Sequence, residues 1–447
     1  MTDAMPFDFC SRYCLVALLL IATSINSHRV ALAQDTPSPD RTSRRSESAA
    51  GAAQEGSKDK TNPQSSQPGS KSDSNESTSA ATDQTAAKTL SDISTAGEKE
   101  NLAPKIELPP APAATPMTPS DSALREKISR VLDAYIERPE NSVERAPWGA
   151  MHGFISYGVD ATILVNQQRV NSIAYLAYNN PCRGVRLLEI QNGRPSAKVG
   201  VNVQGHEGQF LAMLAQSRVP KEYPLRVNSQ NFTVADLIEN EKKTCKSRTE
   251  LTFKLIALAH YLDLDETWTA DSGETWSLPR LIQEELAQPV VGGACGGTHR
   301  LLGLSYASRN REKRGVAVDG EWSRAAKFIR DFQAYAFTLQ NPRGNFSTEF
   351  FAGRADDPNP RTQLYTTGHI TEWLAYSLPV DELSDARIER AVTFLADHLQ
   401  ANLNLDLGVG PRGHGLHALV IYEERRFGAR PGERLARLQQ KSATKNR

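Results

Sequence analysis

Five of the chain's nine histidines stand within two residues of a glycine near the start of an apolar run. They are Met151-His152-Gly153, Gly205-His206-Glu207-Gly208, Gly297-Thr298-His299, Gly368-His369 and Gly413-His414-Gly415. Glycine lets the backbone turn sharply into a helix. The first N–H groups of that helix lack internal partners and carry partial positive charge. Imidazoles held there are expected to stay neutral, and a neutral imidazole serves as a base, an acceptor or a metal ligand. Glu207 and Glu372 add carboxylates at the same level. The candidate catalytic residues are therefore His206, Glu207, His299, His369, Glu372 and His414, with His152, Arg300 and Tyr306 as candidate ligand contacts. The competing reading makes the histidines caps and packing residues of a duplicated repeat.

The densest of these segments is VVGGACGGTHRLLGL (290–304), which places Cys295 four residues before His299. A Cys-x3-His pair, with His206, His369 or His414 brought near it, offers zinc a mixed sulfur and nitrogen set. A buried structural thiol is the alternative. GGACGG lacks the Lys-Ser/Thr ending of a phosphate-binding loop and does not follow a strand, which disfavours a nucleotide site. A lyase acting on a uronic sugar would need charge neutralisation, a base and an acid. His206 or His369 with Tyr306, Tyr365 or Arg300 could supply them. An inverting glycosidase would need two separated carboxylates, for which Glu207, Glu372 and Asp160 are available.

Two kinds of segment must position these groups. Some are amphipathic: Leu124, Ile128, Val131, Leu132 and Tyr135 form one stripe, and Ile388, Ala391, Val392, Leu395 and Leu399 another. A third is Trp322, Ala325, Ile329, Phe332, Ala336 and Leu339. Spacing of three to four with charges opposite marks a surface helix. Others are apolar almost all round, such as ELTFKLIALAHYL (250–262) and ITEWLAYSL (370–378), and belong in a core. The two kinds alternate, with apolar helices beginning near Met151, Gly205, Thr249, Gly297, Gly368 and Gly413. Asn192-Gly193 between short apolar stretches predicts a β-hairpin insertion near 185–200. The expected fold is all-α, an α/α toroid of about six helical hairpins, with an open solenoid as the competitor.

QNPRGNF (340–346) resembles the QW repeat of squalene and terpenoid cyclases, with Phe346 in place of tryptophan and Tyr335 five residues upstream of Gln340. With the six hairpins, residues 121–422 resemble the terpenoid cyclase/protein prenyltransferase toroid superfamily. GGTHRL (296–301) and TTGH-x-x-EWL (366–374) also resemble signatures of an exported bacterial family, which implies no activity. The catalytic motifs of the cyclases do not carry over. Asp263-Leu264-Asp265-Glu266 reads as a helix exit rather than D-x-D-D. Asp356-Asp357-Pro358 lacks the third carboxylate of D-D-x-x-D and sits in an insertion, 343–363.

Acidic and basic residues balance at 52 each, which argues against a dedicated nucleic-acid binder. Arg12, the apolar run Cys14–Ala22 and Ala31-Leu32-Ala33 read as a signal peptide over 1–33, with an uncleaved anchor as the alternative. A Ser/Pro/Gln-rich linker is expected over 34–120, and a solvated basic tail over 423–447. Of five cysteines, Cys10 and Cys14 leave with the signal, so at most one disulfide could form. The expected protein is exported, periplasmic or envelope-associated, without a transmembrane segment after cleavage. It binds or processes a small-molecule or polysaccharide ligand in a His-lined cavity. The alternatives are a non-catalytic interaction module or a polysaccharide lyase or hydrolase.

Overall fold

The computed structural model describes residues 117–445. The signal peptide call and the linker call up to residue 116 fall outside the described residues. Among the described residues the chain is helix-rich, with 13 α-helices and small β-hairpins.

Six helices carry the apolar segments: α2 (Pro147–Tyr157), α4 (Gln209–Gln216), α6 (Thr252–Tyr261), α8 (Thr298–Lys313), α10 (Pro360–Ser377) and α12 (Val409–Phe427). Each packs on the next, and α12 packs back on α2. Seven residues of α4 and eight of α6 are buried, as helices without a polar face require.

Between them lie the amphipathic helices α1 (Pro119–Ile136), α5 (Val234–Lys243), α7 (Leu278–Leu286), α9 (Gly320–Thr338) and α11 (Ala386–Ala401), and a six-residue α3 (Ser172–Ala177). Their stripes are those the spacing predicts. Ile388, Ala391, Val392, Leu395 and Leu399 are each 0% exposed. Burying such side chains is worth roughly 1.5–3 kcal/mol each, which sets the orientation of α11. Thr118 caps α1 in a capping box with Asp121, so the helix begins two residues ahead of the expected boundary at 121.

The predicted hairpin is present as β4 (Leu188–Gln191) and β5 (Arg194–Ala197), turning at Asn192-Gly193. Three more appear: β2 (Thr162–Val165) with β3 (Gln168–Asn171), β6 (Pro224–Val227) with β7 (Gln230–Thr233), and β8 (Thr267–Thr269) with β9 (Thr275–Ser277). β1 (Glu140–Asn141) joins β2 in parallel. Each of these three hairpins runs straight into an amphipathic helix. Asn171 and Ser277 accept N–H bonds there, and Thr233 forms a capping box with Asp236. The hairpins fix where α3, α5 and α7 begin.

The QNPRGNF segment works as a brace. Gln340 Nε2 donates to the Gly344 and Arg387 carbonyls, and Phe346 is fully buried. This ties the end of α9 to α11. The C-terminal segment differs from a solvated tail in its described part. Helix α12 runs to Phe427, and α13 (Glu433–Lys445) follows. Arg434 pairs with Asp133 and Glu423, and Gly432 N–H donates to Asp160 at 3.0 Å. Arg426 and Arg437 are likewise paired, with Asp121 and Asp133, so the basic character of the run did not reveal its partners. No helix among the described residues is long and apolar enough to cross a membrane.

Candidate metal centre

Gly296 and Gly297, directly after Cys295, build a turn that leaves no room for a side chain. Cys295, Gly296 and Gly297 all have positive φ, at 48°, 64° and 80°. A Cβ on Gly296 would fall inside the Phe350 side chain. One on Gly297 would overlap the Val290 carbonyl oxygen and come within 2.6 Å of Val290 Cγ1. The left-handed conformation costs a non-glycine residue roughly 1–2 kcal/mol, and Cys295 bears that cost. The result is a tight loop that drops Cys295 beside the first turn of α8 and His299 into the interior.

Five imidazoles converge there. Ring centroids lie 3.8 Å apart for His369 and His414, and 5.3 Å for His299 with each of these. His206 is 5.9 Å from His299, and His152 is 5.4 Å from His414. The third apolar helix, α6, supplies no histidine to this cluster; its His260 lies in the last turn. Phe253 of α6 fills its place, 5.0 Å from both His206 and His299.

Four of the five rings are held through Nδ1. His152 bonds the Trp148 carbonyl oxygen at 2.8 Å and His369 that of Tyr365 at 2.6 Å. A carbonyl can only accept, so in these two Nδ1 carries the proton and Nε2 presents a lone pair. His206 meets Glu250 at 2.7 Å and His414 meets Glu372 at 2.7 Å. Anchoring one ring nitrogen so that the other faces a common point is how protein sites orient metal-binding histidines.

His299 is the exception. It is buried, and neither ring nitrogen has a hydrogen-bond partner; His369 Nε2 is likewise unpartnered. Leaving a buried polar atom unsatisfied costs about 1–3 kcal/mol. The ligating atoms of Cys295, His299 and His369 lie within 4.8 Å of one another. Around a tetrahedral zinc with ordinary bond lengths, ligand atoms sit roughly 3.3–3.8 Å apart. The trio would close by about 1 Å on an ion, within the reach of side-chain rotation.

Three of the rings, His152, His299 and His369, are disfavoured as cations chiefly by burial. Burial pushes His299 and His369 well below the usual imidazole range, and the neighbouring imidazoles add to this. His152 is lowered to about 3, mainly by burial. The field of helix N-termini cannot be the cause, because only His206 and His299 sit at helix starts. His369 is ten residues into α10 and His414 six into α12. Gly368 and Gly415 do not open helices. They let α10 and α12 meet, with a Cβ on Gly368 only 3.1 Å from the Gly415 nitrogen.

Glu372 is 2% exposed and accepts from two rings, His414 at 2.7 Å and His417 at 2.5 Å. Burial pushes its pKa up, but the charge and N–H groups of the two histidines outweigh this and hold it well below the carboxylate range. Phe350, with φ 53°, lies over Gly296 with its ring 6.2 Å from that of His369. It belongs to the 343–363 insertion, which therefore covers the cluster.

His152, His206, His299, His369, His414, Glu372 and Cys295 are thus brought together. Three candidates are not. Arg300 is buried against Glu285 at 3.1 Å and bonds Gln288 Oε1 and the Pro289 carbonyl, bracing the loop before α8. Glu207 points outward with a 55% exposed side chain, 3.5 Å from Lys254. Tyr306 lies two turns further along α8, stacked on Tyr376 at 4.0 Å. Asp263–Glu266 is a helix exit, where Glu266 pairs with Lys242. Residues missed from the sequence are Glu250, Phe253, Phe350 and His417. Only His417 had a local signal: three residues from His414 on a helix, it shares that face.

No family model, no curated protein and no solved structure matches the chain.

Proposed function

We propose that the chain is an exported α/α-toroid protein whose interior holds a zinc-like divalent ion through Cys295, His299 and His369, and that this centre processes a ligand hydrolytically. The observation that carries the reading is the unpartnered pair of nitrogens on buried His299, beside the unpartnered Nε2 of His369 and the Cys295 sulfur. The return of α12 onto α2 supports a closed ring of six inner helices over an open solenoid. The sequence Cys14–Ala22 followed by Ala-Leu-Ala supports export.

Three protein ligands are the complement of a catalytic rather than a closed structural zinc site. Such an ion, when bound, acidifies a water at its open position. His414 stands 5.3 Å from His299 and 3.8 Å from His369 by ring centroids, oriented by Glu372. Its role is to accept and return a proton. Phe350 excludes bulk water from the site.

A chelator-stripped full chain titrated with cobalt(II) tests this. A thiolate-to-metal absorption band that saturates at one equivalent and is lost in Cys295→Ser is expected; no band in the parent chain contradicts the site. The second reading, a non-catalytic module whose histidines only knit helices together, is favoured by their burial and close ring packing. It requires His299→Phe to be stabilising, since no ligand would be lost and the unpartnered nitrogens would be removed.

A further inference from the structure

The opposite ends of the same helices enclose a second site. A cavity of about 400 Å³ opens among the C-terminal halves of α8, α10 and α12 and the ends of α2 and α4. Five cationic side chains line it, Arg218, Arg309, Lys313, Arg425 and Arg430, against a single carboxylate, Glu424. That carboxylate is already taken by Arg218 at 2.6 Å, and Arg430 faces Glu433 at 3.8 Å on the exposed rim, which leaves Arg309, Lys313 and Arg425 without a carboxylate. Arg425 is spent on the Ala375, Tyr376 and Leu378 carbonyls, which are dipoles and not charges. Arg309 reaches the Leu378 carbonyl at 3.3 Å, while its buried Nε has no partner. Lys313 forms no ion pair among the described residues. The crowding registers in the groups themselves. Burial and the Arg309 charge lower Arg425 to about 9, and burial and the three arginines lower Lys313.

Uncompensated positive charge gathered around a partly buried cavity is costly unless a ligand supplies the negative charge. Tyr306 and Tyr376 both line the cavity, stacked on each other at 4.0 Å with planes 5° apart, and the Arg309 guanidinium lies 5.7 Å from the Tyr376 ring centre. The volume falls in the range of small-ligand sites, roughly 300–1,000 Å³. Arginine and lysine recognise carboxylates and phosphates through charge-assisted hydrogen bonds, and an aromatic face receives the apolar face of a sugar ring.

We propose that this cavity binds an anionic sugar, its charge held by Arg309, Lys313 and Arg425 and its ring laid against the Tyr306–Tyr376 pair. The cavity reaches the histidine cluster through His417, which lines it and bonds Glu372, but none of Cys295, His299 and His369 lines it, so the proposal stands whether or not an ion binds there. Digalacturonate and glucose 1-phosphate distinguish a carboxylate from a phosphate source, with neutral cellobiose and inorganic phosphate as comparisons. Calorimetry on the full chain at low salt is expected to show one of the anionic sugars binding at least tenfold more tightly than either comparison. The gap should narrow at high salt, as screening requires. Lys313→Met, which disturbs no ion pair, and Arg309→Met should each weaken that binding at least fivefold. Equal binding of cellobiose, equal binding of inorganic phosphate, no binding of any probe, or unchanged affinity in Lys313→Met would each overturn the assignment.

Discussion

Replacing Glu372 with glutamine changes one atom and should be expensive. The carboxylate is 2% exposed and accepts N–H bonds from His414 at 2.7 Å and His417 at 2.5 Å. Charge-assisted bonds of this kind contribute roughly 1.5–3 kcal/mol each. Glutamine offers one acceptor and one N–H donor in place of two acceptors. One imidazole keeps an acceptor; the other meets an N–H donor and loses its bond. Losing one charge-assisted bond and weakening the other amounts to about 2–4 kcal/mol. In urea this appears as a lower midpoint with unchanged slope, and in heating as a fall of roughly 3–6 °C. A cycle with His414→Asn should return a coupling of at least about 1 kcal/mol. A loss below about 0.5 kcal/mol, the scale of an ordinary surface substitution, would refute the claim that Glu372 is an ionised, doubly bonded carboxylate.

Other perturbations follow from the same structure. Gly297→Ala places a Cβ against the Val290 carbonyl at φ 80°, so a loss of roughly 2–4 kcal/mol in urea unfolding is expected; a neutral result would mean the loop is not locked. Lys254 is 1% exposed and pairs with Glu241 at 2.7 Å. Lys254→Met should cost about 3–5 kcal/mol by stranding the carboxylate, and a second change, Glu241→Met, should recover much of it. His260 is held down to about 4, by burial first and then by Lys313, Arg218 and Arg314. A histidine depressed in the folded state leaves the unfolded chain to take the proton first, so stability falls as pH drops from about 6.5 towards 4. Between pH 7 and 5 the loss from this group is at most about 2 kcal/mol. His260→Gln should shrink the acid-induced drop in melting temperature, and an unaltered drop would contradict the assignment.

Helix periodicity was the most legible part of the fold, because an apolar stripe records which face is buried. The stripes of α1, α9 and α11 lie where the spacing puts them, and the Asn192-Gly193 turn announced its hairpin. Three other hairpins escaped notice. They turn at Asn166-Gln167, Asn228-Ser229 and near Gly273, and the first two reach positive φ without glycine. Their strands are only three or four residues long. Glycine misled in the other direction. At Gly368 and Gly415 it permits two helices to touch and starts neither. The gathering of histidines was legible through repetition, and the pairing of Cys295 with His299 and His369 was among the combinations spacing allowed. Choosing among them needed the fold, since the residues come from different helices. The basic cavity was illegible for the same reason: Arg218, Arg309 and Arg425 lie on three separate elements, and the net charge of the chain is zero.

The claim that Cys295, His299 and His369 hold an ion is tested most directly by the metal content of the full-length chain. It should be purified without chelator and without an affinity metal, then measured by plasma mass spectrometry. The structure predicts close to one zinc-like divalent ion per chain, falling below a tenth in Cys295→Ser and His369→Ala variants that retain their helical content. A parent chain with no stoichiometric metal, and no uptake on adding zinc, would contradict it.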